Sequence, residues 1–359
     1  MIRAVKRTAL TALRTAGFFG LASRSRWRNE RLLILGYHGI AQEDEHQWDP
    51  SLFIAPEHLA CRLRYLRAAG FHILPLGEAL TKLNEGTLPA RSVAITFDDG
   101  FVNFYRLALP ILREYDAPAT VYLTTYYSEN NLPVPGVTAG YMLWKSRDFT
   151  GRIASVPRFK GTLSSDWRQR LEVSYAIGRY FTNERTLTAA EKHRMIEALA
   201  EEVGFDLESL VRRRIMHLMT PDEARDVSRA GIDIQLHTHR HWLPPDERLV
   251  GCEITDNRNR IHAFTGKHAN DFCYPNGVFS PELLSWLRSL GIRSATTCER
   301  GLASKRDDPL LLPRFLDHSN VSPLEFEAWA SGVASVLPRR HGVRIGRPMA
   351  QALCRDGTA

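Results

Sequence analysis

The stretch Val93-Ala94-Ile95-Thr96-Phe97-Asp98-Asp99-Gly100 decides how the rest of this sequence is interpreted. Its first five residues form an apolar, β-rich run that is typical of a strand buried on both faces. The run ends in two adjacent carboxylates, which repel each other unless a cation or hydrogen-bond donors stabilise them. Alone, Asp99-Gly100 is equally typical of a hairpin turn. This stretch therefore leaves open both a turn and a charged site at a strand end.

A second strand-like run, residues 231–236, leads directly into His237-Thr238-His239-Arg240-His241. Imidazoles four residues apart lie on one face of a helical turn or of a tight loop. Two imidazoles and one carboxylate leave coordination positions open, as a hydrolytic divalent metal requires. A histidine cluster alone also fits a solvated basic loop. Its occurrence downstream of the paired carboxylates favours a metal site.

The two motifs, in this order, resemble those of the polysaccharide deacetylases with the NodB homology domain (carbohydrate esterase family 4). The resemblance covers roughly residues 33–331 and implies an α/β fold, a distorted (β/α) barrel of the NodB-homology type. From periodicity alone, strands alternating with helices fit a barrel or a doubly wound sheet equally well. The matching segments are Thr96–Gly100 and His237-Thr238-x-x-His241, with weaker matches at Tyr37-His38, Tyr274–Gly277 and Leu312-Pro313-Arg314.

The resemblance also implies a role for individual residues. Asp98 corresponds to the general base, and Asp99, His237 and His241 correspond to the ligands of a divalent metal. Zn²⁺ is the first candidate, other transition metals remain open, and a metal-bound water is the nucleophile. The backbone N–H of Tyr274 corresponds to the donor that stabilises the oxyanion.

The sequence departs from the family pattern at two motifs. The third motif often begins with an arginine that pairs with the base, and residues 271–276 contain none. Arg314 could orient Asp98 instead, or form a structural ion pair elsewhere. The usual fourth motif is missing around residues 294–299. His318, in a loose Leu-x-His context, is the candidate general acid.

We expect a deacetylase-like barrel over residues 31–337, preceded by a basic amphipathic segment (1–30) and followed by a basic, mobile tail (338–359). Residues 126–218 interrupt the strand–helix alternation and predict a mostly helical insertion beside the active-site face. Loops at this face usually determine substrate choice. Four aromatic residues of the insertion could stack on sugar rings or pack in its core: Tyr126, Tyr127, Tyr141 and Trp144.

The segment 1–28 carries apolar residues on one side of a helical wheel and basic residues on the other. This pattern fits peripheral association with an anionic membrane; a disordered leader or a helix docked on the barrel fits as well. Neither a convincing signal peptide nor a spanning segment is found, which favours the cytoplasm or the inner face of the membrane. The apolar set is Ile2, Val5, Ala9, Ala12, Leu13 and Ala16.

The composition argues against a nucleic-acid-binding protein and against a protein stabilised by disulfides. The 359 residues are 44% hydrophobic and carry a formal net charge of +7. The charge suits anionic surfaces, but the sequence contains no zinc-finger spacing or aromatic–basic interleaving, so we expect no nucleic-acid partner. Five scattered cysteines without a C-x-x-C pair argue against a disulfide framework: Cys61, Cys252, Cys273, Cys298 and Cys354.

Three functions are compatible with the sequence. The first is metal-dependent hydrolysis of the N-acetyl amide of N-acetylhexosamine units, in a polysaccharide, an oligosaccharide or a lipid-linked glycan precursor. The second keeps the same site for another amide, a ureide or an ester. The third is a non-catalytic glycan-binding or scaffold protein with a degenerate site. Four clustered polar residues argue against the third, since burying them is costly without a function.

Overall fold

The computed structural model of this protein describes residues 2–184 and 186–336. The predicted tail, residues 338–359, lies outside the described part of the chain. The strands are β1 (Leu33–Tyr37), β2 (Gly39–Ile40), β3 (Phe53–Ile54), β4 (His72–Ile73), β5 (Ser92–Phe97), β6 (Thr120–Leu123), β7 (Gly151–Arg152), β8 (Thr162–Leu163), β9 (Asp233–Leu236), β10 (Asp271–Cys273), β11 (Ser294–Arg300) and β12 (Leu312–Leu316).

The α-helices precede, connect and follow these strands, with a π-helical segment at Phe104–Ala108 and a 3₁₀ turn at Pro275–Gly277. They are α1 (Ile2–Thr15), α2 (Phe18–Arg24), α3 (Arg26–Asn29), α4 (Glu45–Trp48), α5 (Pro56–Ala68), α6 (Leu76–Glu85), α7 (Leu109–Glu114), α8 (Tyr126–Asn130), α9 (Pro135–Lys145), α10 (Trp167–Asn183), α11 (Ala189–Val203), α12 (Leu207–Arg213), α13 (Pro221–Arg229), α14 (Glu247–Thr265), α15 (Pro281–Ser289), α16 (Pro323–Ser331) and α17 (Val333–Val336).

Seven parallel strands close into a barrel in the order β1-β12-β11-β10-β9-β6-β5, and β4 extends the sheet beyond β5. The barrel closes because β1 pairs with both β12 and β5, with Gly36 opposite Thr96 and Tyr37 opposite Phe97. The predicted distorted (β/α) barrel is confirmed. A doubly wound sheet would leave two edges, whereas here the first and last barrel strands are paired.

The alternation of side chains along β5 explains how the barrel directs its carboxylates. Val93, Ile95 and Phe97 belong to the core between the strands and the helices. Ala94 lies on the opposite face of β5 and packs in a different cluster, which includes Tyr122 of β6. Because successive side chains alternate across a strand, Thr96 and then Asp98, at the carboxyl end, lie on the same face as Ala94.

The segment 126–218 follows β6 and contains α8 to α12 and the antiparallel pair β7–β8. It has an apolar cluster of its own, centred on Ile177, Phe181 and Leu199. An isolated bridge between Phe101 and Leu218 connects the segment to the barrel, and a second bridge, between Pro133 and His217, joins the two ends of the segment to each other. The segment is inserted between two neighbouring strands of the barrel, β6 and β9. It begins just after the carboxyl end of β6 and ends before α13, the helix that leads into β9.

The amino-terminal helices pack against α16 at the outside of the barrel. Leu10 is buried in the main core, Leu13 packs against it, and Arg14 forms a 2.7 Å ion pair with Glu327. Helix α1 therefore docks on the barrel, one of the alternatives left open by the sequence. No helix in the described ranges combines the length and the apolar character that crossing a bilayer requires.

Candidate active site

The two carboxylates at the end of β5 point to different neighbours because the backbone turns sharply between them. Asp99 adopts a left-handed conformation with φ of 68°, and Gly100 follows with φ of 83°. This positive φ favours glycine, and a Cβ atom at Gly100 would also overlap Leu123 Cδ1. The hairpin alternative does not occur, since β5 and β6 are parallel.

Asp98 is held by Arg314 in a buried, bidentate ion pair. Nη1 and Nη2 of Arg314 lie 2.7 and 2.8 Å from the two Asp98 carboxylate oxygens. The guanidinium also donates to the Thr297 carbonyl and to Thr96 Oγ1, which fixes its plane. Arg314 therefore orients Asp98, one of the two roles left open by the sequence.

The environment of Asp98 favours its charged form. Burial by itself raises the pKa of Asp98, but the Arg314 guanidinium outweighs burial and holds that pKa well below its usual range. Asp98 is therefore ionised at neutral pH, and only 2% of its surface is exposed.

Asp99, His237 and His241 converge on one point. The Nε2 atoms of both histidines lie 3.3 Å from Asp99 Oδ1. His237 follows β9 directly, and Thr238 and His241 have positive φ values of 62° and 54°, so a tight loop brings the two imidazoles together. Burial is the main reason why the pKa of His241 falls to about 4, which keeps this imidazole neutral and able to ligate a cation.

A buried network fixes the orientation of His237. Its Nδ1 lies 2.9 Å from the Cys273 carbonyl, and its backbone N–H donates to Asn257 Oδ1. The Asn257 amide donates in turn to the Leu123 carbonyl and to Thr125 Oγ1. Asn257 is absent from the residues predicted for the site, because a buried, fully bonded asparagine in α14 gives no spacing signal.

The remaining residues of the histidine motif have structural contacts. Thr238 Oγ1 accepts a hydrogen bond from the Trp242 N–H, which holds this loop. His239 does not point towards solvent. It is buried, with Nδ1 2.9 Å from Thr125 Oγ1. Arg240 pairs with Glu253 at 2.7 Å.

The structure does not support His318 as the general acid. It lines a separate groove with Arg7, Leu10 and Arg300, and its Nδ1 accepts from the Asn320 N–H. A different histidine, His38, lies close to Asp98, with its Nε2 3.7 Å from Asp98 Oδ2.

Tyr274 also differs from its prediction. Its backbone N–H donates to the Thr296 carbonyl at 3.3 Å, and its hydroxyl donates to the Leu310 carbonyl. Because this N–H already has an acceptor, the oxyanion role predicted for it is not supported. In the same turn Pro275 has no N–H, and Asn276, with φ of 56°, lines the cavity beside Asp99.

The aromatic residues of the insertion divide between packing and lining. Tyr141 is buried against Trp48, which lies outside the insertion, and Trp144 stacks on Tyr141 with a centroid distance of 5.9 Å, so both have packing contacts. Tyr126 packs edge-on against Tyr127. Tyr127 lines the cavity that contains Asp99 and His241.

Residues 85–295 match the sequence profile of the polysaccharide deacetylase family. The chain belongs to this family. The match contains the turn of Asp98 and Asp99 and the whole loop of His237 to His241, so the family motifs and the converging side chains coincide.

Two known proteins are similar in sequence to part of the chain. The polysaccharide deacetylase YxkH of Bacillus subtilis is 25% identical over 179 residues, which cover 45% of this chain and 61% of that protein. The poly-β-1,6-N-acetyl-D-glucosamine N-deacetylase of Staphylococcus epidermidis is 28% identical over 110 residues, 28% of this chain and 38% of that protein. The similarity thus spans less than two thirds of either relative.

Solved structures share the fold. The Streptococcus pyogenes deacetylase PplD, in complex with acetate, superposes with a TM-score of 0.55 at 18% identity, covering 86% of this chain and 99% of its own. IcaB from Ammonifex degensii superposes with a TM-score of 0.52 at 19% identity, and the superposition covers 84% of this chain and 97% of IcaB. At this identity the similarity shows the barrel fold only.

Proposed function

We propose that this protein hydrolyses the N-acetyl amide of N-acetylhexosamine units in a polysaccharide, an oligosaccharide or a lipid-linked glycan precursor, in a metal-dependent reaction. One observation supports this most: a carboxylate and two imidazoles converge beside a second carboxylate that is held ionised by an arginine. Amide hydrolysis needs a polarised carbonyl, an activated water and a proton for the leaving amine. The arrangement offers a group for each requirement.

The donor atoms of Asp99, His237 and His241 suit a divalent cation, with Zn²⁺ the first candidate. His237 Nδ1 faces the Cys273 carbonyl and carries a proton, so Nε2 is the atom directed at the Asp99 carboxylate, at 3.3 Å. Burial lowers the pKa of His237, but the neighbouring Cys273 and Asp99 outweigh burial and hold that pKa well above its usual value. A divalent cation bound here would take the place of the proton on Nε2. When bound, it would polarise the amide carbonyl and acidify a water molecule.

A second possible set of ligands, Asp98 with His237 and Cys273, is less suited to a cation. Both oxygens of Asp98 already accept from the positively charged Arg314. We therefore assign Asp98 as the general base, which takes a proton from the attacking water. Its strongly lowered pKa makes it a weak base, so it depends on the acidification of that water.

His38 is the proposed general acid for the leaving amine. It lies next to Asp98 at the mouth of the barrel and keeps part of its side chain exposed, so it can reach a bound substrate. Asn276 lies beside Asp99 at the edge of the cavity and is the residue of its turn that we propose to contact the developing oxyanion.

The function is tested by acetate release from a panel of N-acetylated oligosaccharides and lipid-linked precursors. We expect release with Zn²⁺-loaded protein, loss after chelation and recovery when metal is returned. Release from other amides, ureides or esters alone would favour the second function. Stoichiometric binding of glycans without any hydrolysis by metal-loaded protein would favour the scaffold alternative.

Replacing His38 and His318 in turn by glutamine should show which of these two histidines is the general acid. His38→Gln is expected to lower kcat by about 10²-fold or more, because the leaving amine loses its proton donor. His318→Gln, the same exchange in the separate groove, should leave kcat within a factor of two to three. The measurement is kcat with metal content determined on the same samples; equal losses in both variants would contradict the assignment of His38.

For the membrane we propose a docking surface on α2 rather than on α1, at the inner, cytoplasmic face. Leu10 and Leu13 of α1 face the barrel, whereas Phe18 and Leu21 of α2 are 52% and 66% exposed. Arginines flank these apolar side chains, which suits an anionic lipid surface: Arg14, Arg24 and Arg26.

The double variant Phe18→Ser/Leu21→Ser is expected to lose most of the partitioning of the protein into phosphatidylglycerol vesicles, measured by co-sedimentation. Each removed side chain takes away apolar area that would be buried in the interface. Leu249→Ser, at an exposed leucine of α14, provides the matched control. Unchanged partitioning of the double variant would remove α2 as the docking surface.

A further inference from the structure

A cavity of about 210 Å³ opens directly beside the proposed metal ligands. Asp99, His241 and Asn276 form its polar end. The rest of its wall is mostly apolar and comes largely from the insertion, the segment that we expect to determine substrate choice. The apolar residues of the wall include Tyr127, Val134, Val137, Phe181 and Leu218.

The wall is built from ordered, mutually bonded segments. The Val134 N–H donates to the Met216 carbonyl at 2.8 Å, which fixes the start of α9. Helices α9 and α10 approach closely, since a Cβ atom on Gly136 would lie 2.6 Å from the Gly178 carbonyl oxygen. Phe181, on α10, is buried. The cavity is therefore preformed rather than a gap between mobile loops.

An acetyl group is small for this space. It places a single methyl group beyond the carbonyl carbon, whereas an apolar protein cavity of about 150 Å³ accommodates benzene. Sugar hydroxyls are poorly matched to the apolar part of the wall, because buried hydroxyls without partners are destabilising. Away from the polar end, two charged side chains reach the wall, Lys192 and Arg240, and both already have protein partners. The Lys192 ammonium donates to the Phe181 carbonyl, and Arg240 pairs with Glu253.

We propose that this cavity is an acyl subsite, and that the preferred substrate amide carries an N-acyl chain longer than acetyl, up to about six carbons. This inference rests on the proposed hydrolysis of an N-acyl amino sugar. The carbonyl carbon lies beside Asp99 and His241, the chain extends along the wall formed by Val134, Val137 and Phe181, and the sugar remains on the open side. Val137, on the cavity-facing side of α9, limits the chain length.

The test is a series of glucosamine oligosaccharides that differ only in the N-acyl group: acetyl, propionyl, butyryl and hexanoyl. Hydrolysis is followed by the free amine, a product common to all. We expect kcat/KM to rise about fourfold for each methylene that enters the cavity, roughly fifteen-fold from acetyl to butyryl. A second set of N-acetyl substrates carries either a methyl or an octyl aglycone, and tests whether the cavity binds the aglycone instead of the acyl chain.

Variants of the wall locate the effect. Val137→Phe should lower the butyryl-to-acetyl ratio of kcat/KM at least tenfold, and Val137→Ala should raise the ratio for hexanoyl. Val211→Phe, the same exchange on α12 outside the cavity wall, should leave all ratios unchanged. Because each ratio is measured within one preparation, a partly unfolded variant still gives a valid value.

The outcomes separate this inference from the proposed function. If acetyl is hydrolysed and longer chains react more slowly, the acyl subsite is wrong and the deacetylase function stands. A gain with the octyl aglycone but not with longer acyl chains would also overturn the acyl assignment. If metal-loaded protein hydrolyses none of these amides, both proposals fail.

Discussion

Asp98→Asn is expected to retain its metal and to lower kcat by about 10²- to 10⁴-fold, the range that general-base catalysis supplies. The amide is nearly isosteric with the carboxylate and can still accept a hydrogen bond from Arg314, but it cannot take a proton from the attacking water. Asp99, His237 and His241 are unchanged, so metal binding should remain stoichiometric. The measurement combines steady-state acetate release with metal analysis by atomic emission.

A loss of turnover could also come from a broken buried ion pair, and a second variant tests this. Asp271 is buried at the start of β10, where its carboxylate lies 2.8 Å from Arg293 Nη2. Asp271→Asn is the same exchange at the opposite end of a barrel strand, and should change kcat little. Near-wild-type turnover in Asp98→Asn would show that Asp98 is not the base, whatever the control does.

The parts of the site that the sequence predicted are those with short-range signals. Asp98 and Asp99 end a strand whose apolar pattern is visible in five consecutive residues, and His237 and His241 lie within one turn of chain. Parallel strands bring their carboxyl ends to one edge of the barrel, so local motifs at strand ends meet in space. The barrel itself was chosen over an open sheet only through the family resemblance.

The parts that the sequence missed depend on contacts between distant segments. His38 lies in a segment matched to the family, Tyr37-His38, but its closeness to Asp98, sixty residues further along the chain, follows from no spacing rule. Tyr274 was assigned an oxyanion role, but the pairing of its N–H across the sheet is decided by the register with β11. Tertiary pairing of this kind has no signature in a single sequence.

Arg314→Met is expected to lower the free energy of unfolding by about 3–5 kcal/mol, as observed when one partner of a buried ion pair is removed. The Asp98 carboxylate would lose both guanidinium hydrogen bonds while remaining 2% exposed. The loss should be measured by urea denaturation with the metal removed, so that metal binding does not contribute to the stability.

The double variant Asp98→Asn/Arg314→Met decides whether the destabilisation comes from the unpaired charge. If it does, the double variant should be more stable than Arg314→Met alone, with a coupling between the two sites of about 0.5–3 kcal/mol. Additive effects would mean that Arg314 acts mainly through its bonds to Thr297 and Thr96. In that case the arginine would stabilise the barrel wall, and the orientation of the base would need another cause.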